Sequence, residues 1–153
     1  MPFLIDGHNL IPEIGLHLDS LDDELDLIRL LQEFCRLSRS QAEVYFDNAP
    51  AGQPTKRKHG LVTAHFIRKP DIADEAIYQR IKKLSASAKN WIVVSSDRRV
   101  QAEARAVKAK VLSSDEFARQ MRSTLQNKQK SAGDSALSKQ EINEWLELFA
   151  KRR

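Results

Sequence analysis

The sequence predicts an α/β layer fold with a mainly parallel central sheet. Short apolar runs of strand length alternate with segments in which apolar residues recur every three or four positions. Three of the apolar runs end in an acidic residue, and capping residues open several of the helical segments. The chain has 153 residues with five glycines and five prolines, which suits one domain and excludes a collagen-like or low-complexity chain.

The first half of the chain predicts two strands around a long helix. Residues 3–5 are a buried strand that runs into turn-forming residues at 6–9. Ser20 precedes acids at 22–24 that favour a helix dipole, and apolar spacing continues the helix to about residue 37. Residues 43–46 form the second strand. Residues 48–60 are rich in turn formers and predict a mobile basic loop.

The second half predicts three more strands, at residues 61–67, 91–94 and 110–112. Helices begin near residues 70, 98 and 114, and the last of these ends at residue 125, which closes the main domain at 1–125. Residues 126–136 are polar and patternless and predict a linker. Residues 137–153 open with a capping box and predict a final helix, whose Trp145 and Phe149 would dock on the domain or on a partner.

Cysteine content and hydropathy exclude several classes of protein. Cys35 is the only cysteine, so a disulfide framework and a cysteine-based zinc site are excluded, and a reducing cytoplasm is expected. No apolar stretch approaches the roughly 20 residues of a membrane span, and the first residues lack the basic region of a signal peptide. We therefore expect no membrane partner.

Charge is unevenly distributed along the chain. Residues 1–50 carry three basic and ten acidic side chains, whereas residues 98–130 carry nine basic and three acidic ones. The whole chain has a formal net charge of +4. A basic central and late region in a compact domain suits a polyanionic partner, although a solvated Lys/Arg surface explains the composition equally well.

Four acidic residues stand where a parallel sheet brings chemistry together. Asp6, Asp47 and Asp97 follow apolar strands, and Asp74 lies in the first turn of the helix after the third strand. The carboxyl ends of parallel strands share one edge, where ligands of such sheets bind. Converging carboxylates repel one another unless a cation lies between them, and an all-oxygen ligand set suits Mg²⁺ or Mn²⁺.

Each acid also has a purely structural interpretation. Asp97 can cap the helix that follows it, Asp74 can favour a helix dipole, and Asp47 can belong to a turn. Asp6, which lies between a buried strand and Gly7, is the hardest to explain this way. The histidines at 17, 59 and 65 have no partner at a recognisable spacing, so no role is assigned to them.

Four sequence blocks carry a family resemblance. Residues 4–11 (LIDGHNLI) resemble the opening motif of the NYN nucleases, a branch of the PIN-like superfamily. Residues 45–47 (YFD), 73–77 (ADEAI) and 93–98 (VVSSDR) resemble its later blocks, in the same order. Chain length and the trailing helix are most similar to the bacterial YacP-type subgroup.

The resemblance implies a metal-dependent ribonuclease with a three-layer PIN-like fold, associated with mRNA cleavage and the translation machinery. Asp6, Asp74 and Asp97 would be catalytic metal ligands for Mg²⁺ or Mn²⁺, and Asp47 would be an additional ligand or a supporting acid. The supporting side chains would be those of Asn9, Glu75 and Ser96. His8 stands where the family often has Tyr, so a stacking contact at that position is not implied.

RNA would be held by basic residues that flank the acidic positions, namely Lys56, Arg57, Lys58, Arg68, Lys69, Arg98 and Arg99. The ribosome is a further expected partner, on the resemblance alone. Two alternatives stay open at this point. One is a non-catalytic RNA- or ribosome-binding module on the same fold. The other is a phosphatase of the haloacid dehalogenase type, which would need a second acid where His8 stands.

Overall fold

The computed structural model describes residues 1–14, 21–47, 55–69 and 71–130. Within these ranges the strands are β1 (Phe3–Asp6), β2 (Ala42–Phe46), β3 (Lys56–His59), β4 (Val62–Phe66), β5 (Ile92–Val94) and β6 (Lys110–Leu112). The helices are α1 (Gly7–Leu10), α2 (Leu21–Ser38), α3 (Ala73–Leu84), α4 (Arg98–Ala106) and α5 (Ser114–Lys130). Short 3₁₀ segments cover Ile11–Ile14 and Ser85–Asn90.

The strands form one sheet in the order β3-β4-β2-β1-β5-β6. Its pairings are parallel except for that of β3 with β4, which is antiparallel. The predicted fold class, an α/β fold with a mainly parallel sheet, is therefore confirmed.

Helices cover both faces of the sheet and complete three layers. Alternation along β1 sends Phe3 and Ile5 into a core shared with α2 and α5, and sends Leu4 into a second core shared with α3 and α4. The first core contains a cluster of three aromatic rings, in which the ring centroid of Phe3 lies 5.5 Å from that of Phe34 and 5.1 Å from that of Phe117.

The chain reverses its direction across the sheet beside β1. From β1 it proceeds outward to β2 and β4, and α3 then carries it back across to β5 on the other side of β1. The carboxyl ends of β1 and β5 therefore form the switch point of the sheet, which in open α/β sheets is the crevice where ligands bind.

The basic segment predicted as a loop contains a strand. Residues 56–59 form β3, which pairs with β4 through a register that places Lys56 opposite His65 and Lys58 opposite Thr63. The prediction was wrong here because Lys-Arg-Lys-His has no apolar alternation to indicate a strand. Charged residues are common on edge strands, where they discourage pairing with a second molecule.

Two other boundaries differ from the sequence prediction. Residues 7–10 form the short helix α1 rather than a turn, and the side chain of Asp6 caps it. Helix α5 continues to Lys130 and so covers the first five residues of the predicted linker. The sequence did not indicate this extension, because these residues are polar and continue no apolar pattern. The rest of the linker and the helix predicted at 137–153 lie outside the described residues. In the described ranges, no helix is both long enough and apolar enough to span a membrane.

Gly7 packs where a larger residue has no room. A Cβ atom at this position would lie 2.6 Å from Cδ1 of Phe46 and 2.9 Å from the carbonyl oxygen of Tyr45. We expect Gly7→Ala to lower the free energy of unfolding by about 1–3 kcal/mol, because β2 must shift to accept the methyl group. Chemical denaturation measures this change.

The matched control is Gly60→Ala. Gly60 has a φ of +60°, but a Cβ there would lie 3.8 Å from its nearest neighbour, the side chain of Gln32. Its expected loss is about 1–2 kcal/mol, from backbone conformation alone. A neutral Gly7→Ala variant would contradict the steric argument.

Candidate metal centre and nucleic-acid interface

The four predicted acids lie at the carboxyl edge of the sheet or at helix starts beside it. Asp6 is the last residue of β1, and Asp47 follows β2 directly. Asp74 lies in the first turn of α3, and Asp97 is the N-cap residue of α4. The parallel strands thus bring together positions that are far apart in the sequence.

Asp6 is a buried carboxylate whose hydrogen bonding is incomplete. Only 2% of the residue is exposed. Its Oδ1 accepts a long hydrogen bond of 3.4 Å from the backbone N–H of Asn9, while Oδ2 is buried with no hydrogen-bond partner among the described residues. Burial first, and then the neighbouring carboxylates of Asp74 and Asp47, raise the pKa of Asp6 to about 7, although the hydrogen bond from Asn9 opposes this rise.

Asp74 is the nearest acidic neighbour of Asp6. The two side chains are close enough to share a proton when one of them is protonated, which contributes to the raised pKa of Asp6. Because Asp6 is buried and Asp74 is half-buried beside it, the two carboxylates need either that proton or a cation between them. This unpartnered, all-oxygen arrangement suits a hard divalent cation.

Asp47 fixes the start of α3. Its Oδ1 accepts a hydrogen bond from the backbone N–H of Ala73, the first residue of that helix. Ile72, at the N-cap position, has a side chain that cannot cap, so Asp47 supplies the missing acceptor from another element. Asp47 therefore sets the position of Asp74, one residue into the helix.

Asp97 caps α4, as its structural interpretation predicted. Its Oδ1 accepts a hydrogen bond of 3.0 Å from the backbone N–H of Val100, and its own N–H donates to Oγ of Ser95 at 3.0 Å. The cap engages one carboxylate oxygen, so it does not exclude a second role for the other.

Asn9 connects the ends of β1 and β5. Its backbone N–H donates to Asp6, and its side-chain oxygen accepts a hydrogen bond of 2.8 Å from the backbone N–H of Ser96. Ser96 in turn uses its Oγ to accept from the N–H of Ser114, at the start of α5. The predicted supporting residues Asn9 and Ser96 thus hold the loop before Asp97 in place.

The structure places Asp74 and Asp47 close enough to Asp6 to raise its pKa, whereas Asp97 lies at the start of α4, after the carboxyl end of β5. Within the described ranges, no three Asp, Glu, His or Cys side chains already stand in a metal-binding arrangement. The buried, unpartnered Oδ2 of Asp6 nevertheless fits a cation, because this atom has no protein donor to satisfy it.

Sequence reasoning missed the role of Glu24 beside this site. Glu24 is buried, and its Oε2 lies 3.4 Å from Nε2 of His8, whose Nδ1 lies 3.7 Å from Oδ2 of Asp47. The hydrogen bond with Glu24 raises the pKa of His8 despite its partial burial, and Asp47 and Asp6 add to this effect. The position of Glu24 in the first turn of α2 looked like ordinary dipole chemistry, so no local signal identified the contact.

The predicted basic residues occupy different surroundings. Arg99 lies 3.3 Å from Glu75 and 5.0 Å above the ring of Tyr78, so Glu75 belongs to a surface ion pair rather than to the buried acids. The other predicted RNA-binding residues are all exposed: Arg68 and Lys69 after β4, Arg98 at the start of α4, and Lys56, Arg57 and Lys58 on β3.

The raised pKa of Asp6 makes stability depend on pH. The unfolded chain loses this proton near pH 4 and the folded protein near pH 7, so rising pH across that window destabilises the fold. In EDTA, we expect Asp6→Asn to match wild type near pH 4 and to exceed it by up to a few kcal/mol at pH 8. Urea denaturation across this pH range measures the difference.

Asp115→Asn is the control, because Ser113 lowers the pKa of the exposed Asp115. Its stability relative to wild type should therefore change in the opposite sense, falling as pH rises through the titration of Asp115. A wild-type minus Asp6→Asn difference that stays constant with pH would contradict the burial argument.

Comparison with known proteins identifies the family. The family model described as YacP-like NYN domain matches residues 3–150. A crystal structure of Rae1 (YacP) from Bacillus subtilis is 21% identical, with a TM-score of 0.66 over 86% of this chain and 79% of that one. A tryptophan-to-leucine mutant of the same protein is also 21% identical, with a TM-score of 0.64 over 97% and 92%. No curated protein matches the chain. The chain belongs to the family of YacP-like NYN domains.

Proposed function

We propose that this protein is a metal-dependent ribonuclease that hydrolyses RNA phosphodiester bonds at the carboxyl edge of the sheet. The observation that carries the proposal is the buried Asp6 carboxylate, which faces Asp74 and has one oxygen without a partner among the described residues. A structural carboxylate would be expected to have its hydrogen bonds satisfied. Family membership supports a nuclease fold with RNA as the substrate class.

Asp6 and Asp74 would hold Mg²⁺ or Mn²⁺, with Asp97 reaching the site from the other side of the crevice and Asp47 in support. A bound cation of this kind polarises the phosphate and supplies an activated water. Protein nucleophiles are not required for such chemistry. Asp47 holds the start of α3, and Asn9 holds the loop before Asp97, so the carboxylates are positioned before substrate arrives.

Positive charge around the acids would hold the RNA backbone. Helices α3 and α4 both start at this end of the sheet, and their positive dipole ends would attract anions. Arg98 and Arg68 are exposed near these starts and would contact phosphates with little sequence preference. By family resemblance, we extend the proposal to messenger RNA in the translation machinery and to a cytoplasmic location.

A second candidate function is a non-catalytic RNA-binding module. The observation that favours it is that Asp47 and Asp97 both have structural roles, while the described residues contain no ready-made group of three metal ligands. Against it, clustered negative charge is unfavourable for RNA binding, and a buried, unsatisfied Asp6 has no purpose in a binding module.

Asp74→Asn tests the ribonuclease proposal. The change removes one charge from the buried pair and keeps the size of the side chain, so the metal-free variant should be at least as stable as wild type. Mg²⁺ or Mn²⁺ should raise the free energy of unfolding of wild type by about 2.7 kcal/mol at a hundred times its dissociation constant, and that of the variant much less. Cleavage of end-labelled single-stranded RNA should be lost in the variant and, for wild type, in EDTA.

Asp71→Asn is the matched control, because Asp71 is exposed and lies three residues before Asp74. This variant should keep the metal response and the cleavage of wild type. An Asp74→Asn variant that is less stable, equally responsive to metal and equally active would mean that Asp74 acts only on the helix dipole. RNA binding without cleavage at any metal concentration would favour the binding module.

A further inference from the structure

A groove separate from the acidic crevice lies between α3 and the outer strands β4 and β3. Its cavity measures about 550 Å³, which is within the usual range of ligand sites. The floor includes Tyr45 and His65, and the walls include Lys56 from β3 together with Arg80 and Lys83 from α3. A smaller cavity of about 190 Å³ continues along the same strands to Lys58.

Strand register explains why these side chains meet. Asp6 pairs with Tyr45, Tyr45 with His65, and His65 with Lys56, so four residues form one row across the sheet. Side chains of paired residues on neighbouring strands point to the same face of the sheet. Here it is the face against which α3 packs over β1 and β2. With strands about 4.8 Å apart, Lys56 lies roughly 14 Å from Asp6 along the row.

The floor of the groove carries stacked rings. The rings of Tyr45 and His65 are parallel within 5°, with centroids 4.4 Å apart. Tyr45 is buried and His65 is partly exposed, so the pair forms a rigid aromatic step whose outer member borders the cavity. Such a step is the kind of surface on which an unpaired nucleic-acid base stacks.

The walls of the groove carry cationic charge that is available to a ligand. In the described part of the chain, neither Lys56 nor Lys83 forms an ion pair, and both are exposed. Glu43 is the acid in the floor, and Arg80 binds it through two hydrogen bonds of 2.9 and 2.8 Å. Burial opposes ionisation of Glu43, but His65 and Arg80 outweigh it and lower the pKa of Glu43 to about 2. The acid is therefore neutralised locally, and the two lysines remain unpaired.

We infer that this groove binds a single-stranded segment of RNA, with one base against the His65–Tyr45 rings and backbone phosphates on Lys56 and Lys83. The inference rests on the proposed function for the class of ligand and assigns the RNA a second contact region away from the reacting phosphate. Aromatic stacking combined with unpaired cations distinguishes RNA from an acidic peptide, which would use the cations alone. Because Asp6 and the groove residues lie in one row across the sheet, a single RNA strand can reach both the groove and the acidic site.

Equilibrium binding in EDTA tests the groove without relying on cleavage. The probe is a short single-stranded RNA labelled with fluorescein, and fluorescence anisotropy is measured over a range of salt concentrations. Lys56→Ala with Lys83→Ala should weaken binding about tenfold or more at low salt. It should also reduce the slope of log affinity against log salt by about 1.4, since each phosphate contact on a single strand contributes about 0.7.

The matched control is Lys89→Ala with Lys108→Ala, which removes the same charge from exposed positions outside the groove. It should change affinity by less than about threefold. Equal weakening by both double variants would overturn the inference, because overall charge rather than the groove would then explain binding.

Variants of His65 test the contribution of base stacking separately from that of the lysine charges. His65→Ala should weaken RNA binding about fivefold or more, whereas His65→Phe should restore it because a ring remains on Tyr45. The effect of His65→Ala should disappear on an abasic RNA of the same length. An effect that persists on abasic RNA, or that His65→Phe fails to restore, would overturn the stacking contact.

The outcomes distinguish this inference from the proposed function. A protein that cleaves no RNA but loses RNA affinity through the groove variants supports the groove and contradicts the nuclease. If the protein cleaves RNA but the groove variants bind RNA as tightly as wild type does, the result supports the nuclease and contradicts the groove. If the groove variants keep their affinity for RNA but no longer bind a fluorescent poly-aspartate peptide, the groove is a protein-binding site instead.

Discussion

The carboxylate of Asp6 is the group on which the arrangement of this end of the molecule depends. Alternation along β1 directs this side chain into the interface beneath α3, where an apolar residue would ordinarily pack. Burial and the approach of Asp74 hold its pKa far above its usual value. The ionised carboxylate of Asp6 therefore carries an electrostatic penalty in this fold, which the proposed cation would relieve. A functional site with such a penalty is less stable than an apolar core would be.

The groups around Asp6 hold it in place without neutralising it. Asn9 donates a backbone N–H to Asp6 and uses its side chain to fasten the end of β5, while Asp47 is committed to the start of α3. These contacts fix the crevice from both sides and leave one oxygen of Asp6 without a donor in the described structure. Preorganisation of this kind favours a bound cation over rearrangement of the protein.

The groove lies on the same face of the sheet as Asp6. The row from Asp6 through Tyr45 and His65 to Lys56 places acidic and basic side chains at opposite ends of one line across the sheet. Negative charge is concentrated at Asp6 and Asp74, where the proposed cation would compensate it, and the unpaired Lys56 and Lys83 border the groove. This arrangement would allow a chain with an acidic first third to act on the polyanionic substrate that we propose.

The sequence by itself determined the α/β class, helices α2 to α5 and the apolar strands, because strand and helix periodicities are local properties of the chain. It also placed the four acids at strand ends and helix starts. Only the tertiary structure decided which acids touch, since the contact of Asp6 with Asp74 depends on how α3 packs on β1. Strand β3 depends on hydrogen bonds to β4 that its charged residues do not reveal. The place of His65 beside Tyr45 was likewise set by register between strands distant in the chain, which no local pattern encodes.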